Sequence, residues 1–239
     1  MKRFTPHRWW LLTVLTAAPA LSLAAGVPHL FTAGTAISSA EVNANFANLA
    51  DRLTSIEARP VTSTYVRWGR TTCENDAQLV YDGYVAGNHS THAGSGAGSL
   101  CLHRTPEWLE TNDFDQNGAL LYGTEYRTFG YFGSLDPLQN FKAECVVCEV
   151  PRATQLMIPG RTSCPAGWTL EYNGYLMSQH FNDNASDWLC IDAAPEQHGA
   201  ADVPGGHLFY PTEIECGALP CAPDGYVQDR EVTCAVCSK

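Results

Sequence analysis

The sequence lacks the short motifs that mark the commonest catalytic sites. It contains no Gly-x-Ser-x-Gly, no His-Glu-x-x-His and no phosphate-binding loop. Carboxylates are plentiful, but no pair of them stands out as a general acid and base, so a secreted hydrolase ranks last among the functions considered. We therefore expect a protein that is not an enzyme.

Basic residues are also scarce, with 14 Lys and Arg against 25 Asp and Glu, which gives a formal net charge of −11. Three of them, Lys2, Arg3 and Arg8, lie in the first 25 residues, which hold no acidic residue, so the remainder carries −14. A chain this acidic repels phosphate backbones, and we expect no nucleic-acid partner.

Residues 1–25 have the pattern of a secretory signal peptide. The three basic residues precede an apolar stretch over 9–23, and Ser22-Leu23-Ala24 supplies a small-residue cleavage signal. The apolar run is too short for a convincing membrane span, although an uncleaved anchor is the alternative. Export and an even count of ten cysteines predict disulfides and a secreted or cell-surface protein, free of the membrane after cleavage.

A linker over 26–36 leads to a predicted helix over 37–59. Ser38 and Glu41 form a candidate capping box, and Pro60 ends the helix. The apolar residues step by four and three, as in a heptad seam. These candidate oligomerisation residues are Val42, Phe46, Leu49, Leu53 and Ile56. The seam either docks on its own domain or gathers several chains into a short coiled coil, and the 3.5-residue period favours the second interpretation.

The rest of the chain is one module written twice. Gly69–Cys73 recurs as Gly160–Cys164 and Tyr81–Tyr84 as Tyr172–Tyr175, both 91 residues later. The other matches are Leu79 with Leu170, His89 with His180, Cys101 with Cys190, and Tyr122–Glu125 with Tyr210–Glu213. Each copy ends on a Cys-x-x-Cys. The matches divide the chain into a β unit over 60–151 and a second over 152–239.

Short strand-like runs separated by Gly, Asn, Asp and Ser predict an all-β fold for both units. Asp82-Gly83 and Asn173-Gly174 are predicted to be hairpin turns. The tryptophans at 68, 108, 168 and 188 are expected in the core, although such rings also hold sugars.

The cysteine count leaves the pairing open. Four cysteines in the first unit allow three pairings, and six in the second allow fifteen. Cys216 and Cys221 fit a small closed loop. The Cys-x-x-Cys pairs resemble redox or zinc motifs, but no βαβ setting surrounds them and export favours structural disulfides.

One acidic segment has the oxygen ligands of a calcium loop at alternating positions: Asp113, Asp115 and Asn117, followed by Gly118. The closing acid, Glu125, comes one position late, and no helices flank the loop. An acidic surface turn is therefore the favoured interpretation. Calcium is the only cofactor that the sequence suggests.

Five stretches carry a resemblance to a known family: Tyr65–Cys73, Tyr81–Tyr84, Cys101-Leu102, Tyr122–Tyr126 and Met157–Trp168. They resemble the C-terminal domain of spongin short-chain collagen-related proteins, which is similar to the non-collagenous C-terminal domain of type IV collagen. The match covers about 61–239. The chain departs from the family in having no Gly-X-Y repeat and no third local cysteine pair in its first unit.

This resemblance implies two disulfide-stapled β units that trimerise. It implies the pairs Cys73–Cys148, Cys101–Cys145, Cys164–Cys237, Cys190–Cys234 and Cys216–Cys221. The expected function is an exported structural or adhesive assembly domain of matrix or cell-surface type. A glycan-binding module is the alternative, so the expected partners are further copies of the chain and surface glycans or matrix proteins.

Overall fold

The structure is a computed structural model that describes residues 26–109, 114–201, 205–221 and 225–239. The predicted signal peptide and Asp113 lie outside these residues. The chain divides into two compact units, Met1–Arg59 and Pro60–Lys239. The first contributes one helix and the second is built from β-strands, so the described part of the chain is mostly β-sheet with one helix.

Helix α1 spans Ser39–Glu57, two residues shorter at each end than predicted. Ser38 occupies the N-cap position with an extended backbone, but its side chain makes no capping bond, so the predicted capping box is wrong. The preceding segment is instead held by Asn45. Its side chain accepts the N–H of His29 at 2.8 Å and donates to the His29 carbonyl at 2.8 Å.

The apolar seam of α1 is open to solvent. Phe46, Leu49, Leu53 and Ile56 are all exposed, and no residue of the helix is buried. Burial of such a stripe is the main source of helix stability, because a helix of this length is marginal alone in water. Among the described residues, the seam is therefore an unpartnered surface.

Eleven strands form the described part of the second unit. They are β1 (Ser63–Trp68), β2 (Gln78–Gly87), β3 (Leu100–His103), β4 (Tyr122–Tyr126), β5 (Lys142–Val150), β6 (Gln155–Pro159), β7 (Thr169–Ser178), β8 (Leu189–Asp192), β9 (Gln197–His198), β10 (His207–Pro211) and β11 (Thr233–Ser238). A 3₁₀ turn at Asp136–Leu138 precedes β5.

The strands join into one sheet in the order β10-β4-β2-β5-β1-β8-β7-β11-β6, with β3 added to β2 and β9 to β5. Strand β10 pairs with β7 as well as with β4, so the path from β4 to β7 closes on itself. Most pairs are antiparallel. The exceptions, β1 with β8 and β10 with β4, both join a strand of 60–151 to a strand of 152–239.

The two predicted β units therefore share one sheet rather than standing as separate bodies. Their joint at β1 and β8 pairs Trp68 with Ile191. Beside it, the buried Arg67 donates from Nε to Asp192 Oδ2 at 2.8 Å and from Nη2 to Glu74 Oε1 at 2.6 Å. A buried cation requires such partners, because an unpaired charge in the interior is strongly destabilising.

The core consists of two clusters, and each draws side chains from both halves of the sheet. One packs Trp68 and Tyr126 against Ile191 and Phe209, while the other packs Tyr65 and its neighbours against Tyr172. Buried cysteines belong to both clusters. Disulfides and apolar burial thus stabilise the same region of the molecule.

The predicted hairpin turns at Asp82-Gly83 and Asn173-Gly174 are wrong. Both dipeptides lie inside long strands, β2 and β7. The glycines are there because another backbone passes very close: a Cβ at Gly83 would lie 1.7 Å from the Leu102 carbonyl oxygen. A Cβ at Gly174 would lie 1.7 Å from the Ile191 oxygen. Close approach, rather than a turn, is the requirement.

Candidate functional site

All ten cysteines are paired, and none is free. The bridges are Cys73–Cys148, Cys101–Cys145, Cys164–Cys237, Cys190–Cys234 and Cys216–Cys221. These are the same five pairs that the resemblance implies. Each Cys-x-x-Cys lies on a central strand, β5 or β11, and sends its two sulfurs to different partners, so one strand is tied to two distant segments. In the loop-entropy model, a bridge closing 75 residues contributes about 4–5 kcal/mol.

The candidate calcium loop is described only in part. Asp115 Oδ1 accepts the N–H of Asn117 at 3.0 Å, which is the arrangement of an Asx turn. Within the described ranges, no group of three or more His, Cys, Asp or Glu side chains is placed to hold a metal ion.

A cleft of about 660 Å³ lies where β7 and β10 meet, and Tyr131 of the first half completes a lining drawn from the second half. Four aromatic residues contribute to its walls: Tyr131, Phe181, Trp188 and Tyr210. Phe181 is 87% exposed and Trp188 62% exposed, so both rings are available to a ligand. The cleft is an open, aromatic-walled site of the size that small ligands occupy.

The rings of the cleft support one another. The His180 ring lies 4.4 Å from that of Phe181 and 5.0 Å from that of Tyr210. The Arg127 guanidinium lies 5.9 Å from the centre of the Tyr210 ring. Tyr210 thus contacts both a histidine ring and a cation, while the Phe181 and Trp188 rings are exposed.

The polar part of the cleft is acidic. Asp183, Glu213 and Glu215 line it, and its described lining contains neither Lys nor Arg. Burial raises the pKa of Glu213, as do the nearby carboxylates of Glu231, Asp229 and Glu215. Burial also raises the pKa of the Tyr131 phenol. Aromatic faces beside hydrogen-bond acceptors suit a neutral or cationic ligand better than an anion.

The sequence placed the tryptophans in the core, and this expectation is wrong for two of them. Trp68 is buried, whereas Trp108 and Trp188 are exposed. Composition does not distinguish the buried tryptophan from the exposed ones. What separates them is position in the fold, since Trp68 ends β1 inside the sheet and Trp188 directly precedes β8 at the mouth of the cleft.

No protein-family model matches the chain. Within the ranges that the structure describes, no helix has the length and hydropathy needed to cross a bilayer. The five disulfides indicate an oxidising environment outside the cytoplasm.

Proposed function

We propose that the chain is an exported assembly domain of matrix or cell-surface type, which associates with copies of itself. It would be a tandem repeat akin to the C-terminal domain of type IV collagen, and this kinship favours three copies. The observation that carries the proposal is a pair of strand edges, one in each half of the sheet, that are open among the described strands. Each has an equivalent edge in the other half, and those two equivalent edges pair with each other within the chain.

The strand ladders of the two halves support the tandem repeat. Strands β1, β5, β2 and β3 are neighbours in that order, and so are β6, β11, β7 and β8. The inner bridges of both halves span 44 residues, and the outer bridges span 75 and 73. On this correspondence β1 matches β6, and β3 matches β8.

The joint between the halves uses β1 and β8, whereas the matching edges, β6 and β3, each pair on one side only among the described strands. Apolar side chains follow the same pattern. Tyr65 on β1 is 3% exposed, and its counterpart Leu156 on β6 is 46% exposed. Ile191 on β8 is fully buried, and its counterpart Leu102 on β3 is 38% exposed.

Open edges with apolar side chains are surfaces that associate with further strands. Here the two open edges belong to different surfaces of one chain, so β6 of one copy would meet β3 of the next. Contacts of this head-to-tail kind close into rings when the rotation permits. The exposed seam of α1 is a second surface that would gather the same copies through a short coiled coil.

Light scattering on residues 26–239 tests this proposal. We expect about three times the mass of one chain, in line with the head-to-tail ring. Leu49→Asp, which puts a charge into the α1 seam, should raise the dissociation constant at least about tenfold. Asn43→Asp, which adds the same charge off the seam, is the control. A monomer at micromolar concentration in the unsubstituted protein would overturn the proposal.

The aromatic cleft favours a second candidate function, the binding of neutral glycans. Exposed rings stack on the apolar faces of sugar rings, and the carboxylates of the cleft accept hydrogen bonds from their hydroxyls. Titration calorimetry with monovalent oligosaccharides from a glycan array tests this. Trp188→Ala should weaken binding about tenfold or more. Trp108→Ala, which removes an exposed tryptophan outside the cleft, should not. Equal loss in both variants would contradict a site in the cleft.

A further inference from the structure

Within the chain, the loop that follows β8 binds the loop that follows β1. The carboxylate of Glu196 accepts the backbone N–H of Thr71 at 2.9 Å and its hydroxyl at 2.7 Å, and Arg70 Nε lies 3.4 Å away. The N–H of Glu196 donates to the Gly69 carbonyl at 2.6 Å. Pro195 packs against Gly69 so closely that a Cβ added to Gly69 would lie 3.0 Å from the Pro195 Cβ.

Both sides of this contact occur a second time in the sequence. Gly69-Arg70-Thr71 is repeated as Gly160-Arg161-Thr162, directly after β6. Pro195-Glu196 is repeated as Pro106-Glu107, which follows β3. The second repeat has the same 89-residue spacing as Cys101 and Cys190. The chain thus has a second loop of each kind. We call them the free Pro-Glu loop (106–107) and the free Gly-Arg-Thr loop (160–162).

The backbone holds the two Gly-Arg-Thr loops, 69–71 and 160–162, in the same way. Gly69 N–H donates to the Glu144 carbonyl at 2.8 Å, and Gly160 N–H donates to the Thr233 carbonyl at 2.7 Å. Both glycines have a left-handed conformation, with φ of 88° and 76°. Because only glycine adopts such angles readily, both loops start with the same fixed geometry.

The two loops that contain the Pro-Glu pairs, 106–107 and 195–196, also begin in the same way. The N–H of Arg104 donates to the Asp82 carbonyl at 3.2 Å, and the N–H of Ala193 donates to the Asn173 carbonyl at 2.9 Å. The side chain of the preceding residue accepts a backbone N–H from the residue two positions after it. His103 Nδ1 accepts the N–H of Thr105 at 3.1 Å, and Asp192 Oδ1 accepts the N–H of Ala194 at 2.9 Å. Both proline–glutamate pairs are therefore presented from equivalent anchors.

Neither loop makes this contact within the described part of the chain, although the Thr162 carbonyl accepts the side-chain N–H of Asn173 at 2.9 Å. Pro106, Glu107, Arg161 and Thr162 are all exposed. Arg161 reaches the Ser163 hydroxyl of its own loop at 3.3 Å, and no described carboxylate forms an ion pair with it. A cavity of about 190 Å³ is lined by Gly160, Tyr226 and Arg230. On the side of Gly160 that corresponds to Pro195 at Gly69, the nearest side chain is Tyr226, whose hydroxyl would lie 3.7 Å from an added Cβ.

We propose that the free Pro-Glu loop of one copy grips the free Gly-Arg-Thr loop of the next, repeating between chains the contact that Pro195-Glu196 makes within one. The Glu107 carboxylate would accept the Thr162 N–H and hydroxyl and pair with Arg161, while Pro106 would pack beside Gly160 against the Tyr226 ring. Both charges gain a partner of opposite sign in charge-assisted hydrogen bonds. This contact rests on the proposed head-to-tail association and names the residues that would hold it.

A zero-length cross-link tests the contact directly. In the Arg161→Lys variant, a carbodiimide should couple the new amine to the Glu107 carboxylate. Unlabelled and heavy-isotope-labelled chains are dissociated by dilution, mixed and reassembled, so that a peptide carrying one label of each kind reports a link between copies. Arg70→Lys is the positive control, because its amine should couple to Glu196 within one chain. Adding Glu107→Gln to Arg161→Lys should abolish the mixed-label peptide.

The assembly itself gives an independent readout. Glu107→Gln should raise the dissociation constant at least about tenfold, as expected for a lost charge-assisted contact. Glu149→Gln, which removes a negative charge elsewhere on the sheet, should leave it unchanged. An oligomer that yields no mixed-label 107–161 peptide, while the positive control reacts, would refute this contact and leave the assembly proposal standing. A monomeric unsubstituted protein would refute both.

Discussion

At the scale of single residues, His207 is the least expected feature of the fold. It lies on β10 and is fully buried, with Nδ1 2.9 Å from the Thr124 hydroxyl on β4. Nε2 has no hydrogen-bond partner among the residues that the structure describes. Burial lowers the pKa of His207 to about 4, and the nearby Asp187 opposes this only in part. The ring also fills the space beside Gly87, where a Cβ would meet it at 2.6 Å.

This histidine predicts a loss of stability in acid. Its pKa is about 6.5 in an unfolded chain and about 4 in the fold, so the unfolded state binds the proton first. The stabilisation is complete above the unfolded value and is lost as the pH falls towards 4, by on the order of 3 kcal/mol. Denaturant unfolding between pH 7 and pH 4 measures this change.

A variant without the imidazole tests this titration. His207→Leu should reduce the dependence of stability on pH in that window, although it also lowers the overall stability because Thr124 loses its partner. Equal slopes in the variant and the unsubstituted protein would show that His207 does not titrate as described.

At the scale of elements, the two glycines in the middle of β2 and β7 decide how closely β3 and β8 can approach. Gly174→Ala should destabilise the protein by about 2–4 kcal/mol, because the new methyl would overlap a backbone carbonyl that cannot move aside. Thermal and denaturant unfolding measure the loss. Gly123→Ala on β4, where a Cβ meets nothing within 4 Å, is the control. Equal stability of the two variants would contradict the close approach.

Elements were predictable where their signal is local. The seven-residue period placed α1, and strand-like composition placed parts of β1 and β2. The Asp-Gly and Asn-Gly dipeptides misled because a turn and a close backbone approach both require glycine, and one sequence does not distinguish these causes. Likewise, the aromatic cleft could not be predicted, since its walls come from segments that are distant in sequence, around Tyr131, Phe181 and Tyr210.

At the scale of the whole molecule, the all-β character was predictable and the shared sheet was not. The echoes along the sequence suggest two separate units, but the β1–β8 and β4–β10 pairs depend on long-range geometry that leaves no periodic signal. Cysteine counting left several pairings open for the same reason. The five observed pairs agree with those implied by a resemblance, which supplied information that spacing alone does not contain.

None of the five bridges crosses from 60–151 to 152–239. Apart from the backbone between them, the halves are therefore held together by noncovalent contacts such as the strand pairs β1–β8, β4–β10 and β5–β9, and these yield first under tension. Each half keeps its length, because covalent sulfur links close the segments 73–148 and 164–237. Within the sheet unit, a tensioned chain would lengthen through residues 60–72 and 149–163, which lie outside the two closed segments, and the sulfur links would limit further extension.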